Sequence, residues 1–404
     1  MSQSVVIVGA GQAAAQTVAS LRSEGFAGPI TVIGDEPYLP YQRPPLSKAY
    51  LAGELAYERL YIRPQEFYDE TKAALMLGVR ATRIDRGAKI VHTEKGEVPY
   101  DTLVIATGSR VRHLTSDGKD LPGVRYLRGI DDVKALQPFL KSGTRFVIIG
   151  AGYIGLEVAA VATKRGASVT VLEMAPRVMM RTAAPQVSAF YEDEHRKHGV
   201  VIHTGAKVDG IAANGASFVV HTSAGKVDAD VVIAGVGIVP NIELAKEAGI
   251  KCENGIVVDE FSRTSDANIY AVGDCADLPC VHSVNNRTRL ESVQNAIDQA
   301  KHAAMAIVGK QKAYHEVPWF WSDQYDLKLQ IAGLAAPEDQ LVLRGDPTAR
   351  SFAVFRLRGG VITGVEAVNA APEYMMGRRL IAARAKVAPE RLADRAIPMK
   401  EMGG

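Results

Sequence analysis

Cysteine is scarce in this chain: Cys252, Cys275 and Cys280 are the only three among 404 residues. Three thiols are too few for a disulfide framework, and their positions lack zinc-ligand spacing, so no metal site is expected. Such usage fits a reducing cytoplasm. Long apolar runs are missing as well. The first short one, Val5 to Val8, falls far below the ~20 residues of a membrane helix. It also lacks the basic flank that opens a secretory signal, so no membrane association is expected. Charge of one sign is missing too, since 47 Lys and Arg stand against 45 Asp and Glu, a net +2. That balance argues against nucleic acid as the main partner but leaves room for a local basic patch.

What is present is a set of short β-branched runs: 5–8, 30–33, 102–106, 146–150, 168–173 and 230–235. Continuous apolar runs of this length suit parallel strands covered by helices on both faces. Ala-rich amphipathic stretches, Gln12 to Ser23 and Gly155 to Arg165, lie between many of them. Strands alternating with helices predict an α/β, doubly wound architecture. The unit also repeats. VVIVGAGQAAA at 5–15 leads to ITVIGDE at 30–36, and FVIIGAGYIGLEVA at 146–159 leads to ASVTVLE at 167–173. Two Rossmann-like nucleotide-binding domains are therefore expected. After about residue 317 the pattern becomes antiparallel, with Gly359-Gly360 as a hairpin turn, then Ala- and Arg-rich over 373–393. A smaller C-terminal α+β domain is expected there.

Each Gly-rich turn follows a buried run and opens a helix, the context that gives G-x-G-x-x-G its meaning. The first copy has Gly9 and Gly11, with Ala14 at the third position; the second has Gly150, Gly152 and Gly155. The first glycine makes the turn, the second lets backbone approach a pyrophosphate, and the third packs helix on strand. Glu173 closes the second unit's second strand and suits a ribose hydroxyl, which favours NADH over NADPH. Arg177 and Arg181, further along, weaken that preference. In the first unit the matching place holds Gly34, so Asp35 is the expected ribose partner.

LVIATG at 103–108, VVIAGVGIVPN at 231–241 and IYAVGDCA at 269–276 resemble, in order, the signatures of glutathione-reductase-like flavoproteins. Disulfide reductases of that superfamily carry a cysteine pair where this chain has PYLPYQRPPLSKAYLAG at 37–53, without a single cysteine. Dithiol chemistry there is excluded. RPPLSK at 43–48, ESVQNA at 291–296 and WFWSDQY at 319–325 resemble the ferredoxin reductases of bacterial oxygenase systems, the putidaredoxin reductase type. The resemblance covers the whole chain. It implies a discontinuous FAD-binding domain over 1–108 and 236–316, a NAD-binding domain over 109–235 and a C-terminal domain over 317–404.

The resemblance also implies roles. FAD is contacted by Gly9, Gly11, Ala13, Ala14, Asp35, Arg43, Lys48, Ala81, Thr107, Gly108, Arg128, Asp274 and Val293. NADH is contacted by Gly150, Gly152, Tyr153, Ile154, Gly155, Glu173 and Gly237. Lys48 tunes the flavin near N5, Glu157 lies near the nicotinamide and pairs with Lys48, and Trp319 or Trp321 covers the side where electrons leave. The bland readings are an early-helix lysine, a helix-dipole acid, a packing pair of tryptophans and, for Asp274, a helix cap. The implied partner is a small acidic [2Fe–2S] ferredoxin serving a haem-thiolate monooxygenase or similar oxygenase. It would meet Arg63, Lys301, Arg378 and Lys400, with the reductase a monomer or weak dimer. Competing readings are reduction of oxygen, a quinone or a radical, and NADH sensing of the apoptosis-inducing-factor kind.

Overall fold

The computed structural model describes residues 3–403, and the chain divides into two units. The first takes the chain up to Gln42, Glu58–Arg110 and Val239–Pro318; the second takes Arg43–Tyr57, Val111–Ile238 and everything from Trp319 on. The chain passes between the units near 110, 239 and 318. The segment Arg43–Tyr57 differs, since it goes with the second unit and not with the expected FAD domain. The NAD-type sheet and the C-terminal sheet fall in that same unit.

In the first unit five strands form a parallel sheet, ordered Ile269–Ala271, Thr102–Ile105, Val5–Val8, Ile30–Gly34 and Ala73–Leu77. Val5–Val8 sits in the middle and is buried on both faces, which is why its sequence does not alternate. Helices Gln12–Ser23 and Val293–Ile307 pack on each other over this sheet. Val18, Leu21, Val104, Val272 and Ala303 share their core. A side sheet of Ala81–Asp85, Ile90–Thr93 and Gly96–Pro99 carries Ala81.

The second unit repeats the pattern with strands ordered Val201–Thr204, Ser168–Glu173, Arg145–Ile149, Val231–Ala234 and Val124–Arg125, all parallel. The helix after the Gly-rich turn spans Tyr153–Lys164, two residues earlier than the composition suggested. From Trp319 onward an antiparallel sheet runs Trp319–Gln324, Leu327–Gly333, Val361–Val368, Ser351–Arg358 and Gln340–Asp346. Gly359 and Gly360 turn it with φ of 56° and 79°, while Arg358 pairs with Val361. Two positive φ values in a two-residue hairpin match the strand twist. The Ala- and Arg-rich stretch forms two helices, Ala371–Ala382 and the short Pro389–Ala393. Arg384, with a φ of 50°, stands between them.

Candidate active site

Both phosphate cradles are built by close backbone approach. A Cβ on Gly9 would come within 2.2 Å of Ala106 O, and one on Gly150 within 2.4 Å of Gly235 O. At the third position Ala14 is fully buried, and a Cβ on Gly155 would meet Gly150 O at 2.2 Å. The middle glycines differ in kind: nothing lies within 4 Å of a Cβ on Gly11 or Gly152. Each faces open space just before helical N–H groups, at Gln12 and Tyr153. Open room over a positive helix end fits a pyrophosphate. The residues present therefore fit two dinucleotides, one per unit.

Around the first cradle the side chains brace one another. Thr107 Oγ1 donates to Asn241 O at 2.7 Å, Asn241 Nδ2 donates to Thr107 O at 2.9 Å, and Asn241 N–H donates to Gly108 O at 3.0 Å. Asp274 sits in a single 3-10 turn, Gly273–Cys275, so it is not a helix cap. Its Oδ2 accepts Ser109 Oγ–H at 2.8 Å, and Gly273 N–H is fixed by Gln299 Oε1 at 2.7 Å. Ala13 is buried, and Val293 is the first residue of its helix, capped by Ser292. Asp35 is exposed and ion-paired with Arg80 at 3.5 Å. Ser109, Asn241 and Gln299 were missed in the sequence. Only the Asn that closes the quoted VVIAGVGIVPN run gave a hint.

In the second unit Glu173 is held from both sides, Oε2 accepting Ala151 N–H and Oε1 accepting Ala175 N–H, each at 2.7 Å. Arg177 is spent elsewhere, on Ala183 O at 2.8 Å, Ser188 Oγ at 2.5 Å and Met180 O at 3.1 Å. Burial holds its guanidinium below the usual arginine range. Ile154 is half-exposed, and Gly237 turns the chain with φ +107°. Tyr153 packs on Phe320 at 4.8 Å, and its buried phenol is pushed well above the usual range.

The same unit brings Lys48 and Glu157 together, Nζ to Oε2 at 2.8 Å. Lys48 is not at a helix start, as its sequence suggested. Pro44–Ser47 form a 3-10 turn and Lys48 leaves it with φ −130°. Prolines can begin such a turn but supply no N–H to continue it. Glu157 lies beyond the first turn of its helix and is 3% exposed, so dipole attraction does not explain it. Ser47 Oγ also donates to Oε2, and Ser322 Oγ donates to Oε1 at 2.6 Å. A buried carboxylate is tolerated only with such partners. Arg43 Nη1 donates to Arg128 O at 2.7 Å.

Trp319 and Trp321 share one face of their strand, ring centres 5.7 Å apart. The Arg378 guanidinium lies 5.5 Å over Trp319. A groove beside the pair is also lined by Asp323, Asp326 and Lys328. Lys400 is exposed on the turn Met399–Glu401. In the first unit Arg63 lies over Phe67 at 5.4 Å and Lys301 pairs with Asp298 at 3.2 Å. Cys275 and Cys280 are buried and Cys252 is half-buried; burial pushes all three thiols up, which lowers the share of reactive thiolate. No helix among the described residues is long and apolar enough to cross a membrane.

Two dinucleotide cradles and a paired lysine, without a redox dithiol, define a nicotinamide-linked flavin oxidoreductase. Residues 3–300 match the model of the pyridine nucleotide-disulphide oxidoreductases, and 319–403 match a reductase C-terminal domain. The chain belongs to this oxidoreductase family, whose cofactors are FAD and NAD(P)H. It is 44% identical to rhodocoxin reductase of Rhodococcus erythropolis over 400 residues, covering 98% of this chain and 93% of that one. Among solved structures, a ferredoxin reductase for the CYP199A2 system from Rhodopseudomonas palustris superposes with a TM-score of 0.95. That structure is 42% identical and both chains are covered in full. The covalent putidaredoxin reductase–putidaredoxin complex gives a TM-score of 0.94 at 41% identity, over 99% of this chain and 98% of that one.

Proposed function

We propose that this chain passes electrons from NADH through FAD to a small acidic [2Fe–2S] ferredoxin serving an oxygenase. It would work in the cytoplasm as a monomer or weak dimer. The observation that carries the reading is the Lys48–Glu157 pair, 2.8 Å apart, in a segment where a disulfide reductase needs cysteines. The end-to-end likeness to ferredoxin reductases, including the Trp-bearing C-terminal sheet, supports the acceptor.

FAD, when bound, supplies the conversion of a two-electron hydride into single electrons. The chain's own residues do the rest. Gly9, Gly11 and the N-terminus of Gln12–Ser23 take the flavin's pyrophosphate, with Asp35 on its ribose and Asp274 on the ribitol side. Ala13, Ala14, Ala81, Thr107, Gly108, Arg43, Arg128 and Val293 complete the contacts. Gly150, Gly152, Tyr153, Ile154, Gly155 and Gly237 hold NADH, and Glu173 accepts its ribose hydroxyl. Lys48 offers a fixed positive charge that favours the reduced, anionic flavin, and Glu157 holds that charge in place. Trp319, under Arg378, covers the exit side.

Near-neutral overall charge leaves attraction for an acidic partner to local cations, here Arg63, Lys301, Arg378 and Lys400. Electron-transfer encounters are small and electrostatically steered, so these cations set the on-rate. Reduction of an acidic [2Fe–2S] ferredoxin should fall as salt rises, while flavin reduction by NADH stays level. Arg378→Glu with Lys400→Glu should give the high-salt rate at low salt. Ferredoxin reduction that ignores both salt and reversal, or electrons delivered only to oxygen or quinones, would refute the acceptor.

A further inference from the structure

Glu157 is one end of a longer polar chain inside the second unit. Ser322 Oγ, which donates to Glu157, accepts Gln324 Nε2–H at 3.2 Å. Gln324 Oε1 accepts His195 Nε2–H at 2.8 Å, and Tyr325 O–H donates to His195 Nδ1 at 2.9 Å. Ser322, Gln324 and His195 are all buried. Ser322 and Gln324, two apart on the strand, share a face. Burial lowers the His195 pKa to about 4; the Gln324 bond and nearby Glu194 raise it in part, and His198 lowers it further. The imidazole is therefore neutral near pH 7, as it must be to donate at Nε2 while accepting at Nδ1.

The outer end is held against local preference. Tyr325 occupies a two-residue hairpin turn between paired Gln324 and Leu327, with φ 56°. Gly or Asn is the usual residue there. His198 stacks on the Tyr325 ring at 3.7 Å, and Arg350 bridges Asp326 to Glu194 at 2.6 and 3.0 Å. A strained backbone is kept where the phenol reaches His195.

Every donor points the same way, from Tyr325 to the carboxylate, and a buried one-way chain polarises cooperatively. We propose that Ser322, Gln324 and His195 form a directed hydrogen-bond chain that fixes the Glu157 carboxylate and, through it, the Lys48 ammonium. Gln324 and His195 are thereby positioning residues for hydride transfer from NADH. This rests on the role proposed above for Lys48 and Glu157. The chain carries orientation and polarisation but no proton, because the Gln324 amide would have to surrender an N–H.

The test is anaerobic stopped-flow reduction of the FAD-loaded protein by NADH, joined to nitrogen NMR of the histidine rings. Ser322→Ala should lower the limiting rate about tenfold, the low end of what one hydrogen bond to a charged group contributes. NADH affinity and FAD content should hold, and Ser322→Thr should restore the rate. Gln324→Leu should resemble Ser322→Ala. Should it fail to fold, Tyr325→Phe, which removes one hydroxyl, should slow the step about twofold. Glu157→Gln should shift the His195 ring signals although the two residues do not touch. Normal rates in Ser322→Ala beside a slow Glu157→Gln, or unmoved His195 signals, would overturn the chain and leave the Glu157 role standing. A normal rate in Glu157→Gln would remove that role and the proposal with it.

Discussion

Replacing Glu173 with Ala should erase the proposed preference for NADH without creating a strong one for NADPH. The Glu173 carboxylate is already fixed by two backbone N–H donors at 2.7 Å, so it would meet the ribose hydroxyl proposed for it without reorganising. One hydrogen bond to such an ionised acceptor contributes about 1.5–3 kcal/mol, or roughly 10- to 100-fold in NADH efficiency. A 2′-phosphate of about −1.5 to −2 charge would instead stand beside a like charge. At about 5 Å in a half-exposed site this costs about 1.2–1.7 kcal/mol, by Coulomb's law at the dielectric constant of water. Removing the carboxylate should cut NADH efficiency by the first factor and raise that of NADPH about tenfold. Reversal stops there, because Arg177 is committed to Ala183, Ser188 and Met180. Anaerobic flavin reduction over a range of each nucleotide gives the two ratios, and FAD content checks the fold. A ratio within about threefold of wild type, or a wild type that prefers NADPH, would refute the reasoning.

Lys48→Ala should slow flavin reduction by about tenfold or more while FAD stays bound, since the lysine is proposed to tune the flavin and not to hold phosphates; wild-type reduction rates would return it to packing. His195 carries a pH signature. Its folded pKa of about 4 lies below the ordinary 6.5, so the unfolded chain binds more protons between those values. Its contribution is full above about pH 6.5 and is lost, up to about 3 kcal/mol, as pH falls toward 4. Urea midpoints from pH 7.5 to 5 should therefore drop more steeply in wild type than in His195→Gln; equal slopes would count against a buried neutral imidazole. Alanine at Cys252, Cys275 and Cys280 should preserve turnover in any folded variant, and lost activity with intact flavin would reinstate thiol chemistry.

The strands and both Gly-rich turns were legible because burial on two faces writes itself into local composition. Val5–Val8 and 146–149 are apolar for that reason, and Gly9 and Gly150 are glycine because a carbonyl stands where Cβ would be. What holds Glu157 was not legible. Ser47 and Ser322 reach it from 110 and 165 residues away in sequence, and no local periodicity reports such a meeting. The NAD helix pattern put Glu157 near its start, whereas the neighbours that matter come from a proline-initiated turn and a strand of another sheet. Arg43–Tyr57 is a further case: it follows the first cradle along the chain but groups with the second unit.

The interleaved division of the chain has a consequence for biosynthesis. Gly9 leaves the ribosome early, but Asp274 and the strand Ile269–Ala271 that completes the first sheet follow only after the NAD-type sheet has been made. At about 5–20 residues per second that delay is on the order of tens of seconds. Throughout it Thr102–Ile105 presents an unpaired edge, which is open to wrong pairing. The NAD-type sheet, whose strands all lie between Val124 and Ala234, can thus close first, and completion of the flavin cradle becomes a late event in the life of each molecule. Only with Ile269–Ala271 in place is that edge covered, so a chain stopped short of residue 269 should be the species vulnerable to proteases and aggregation.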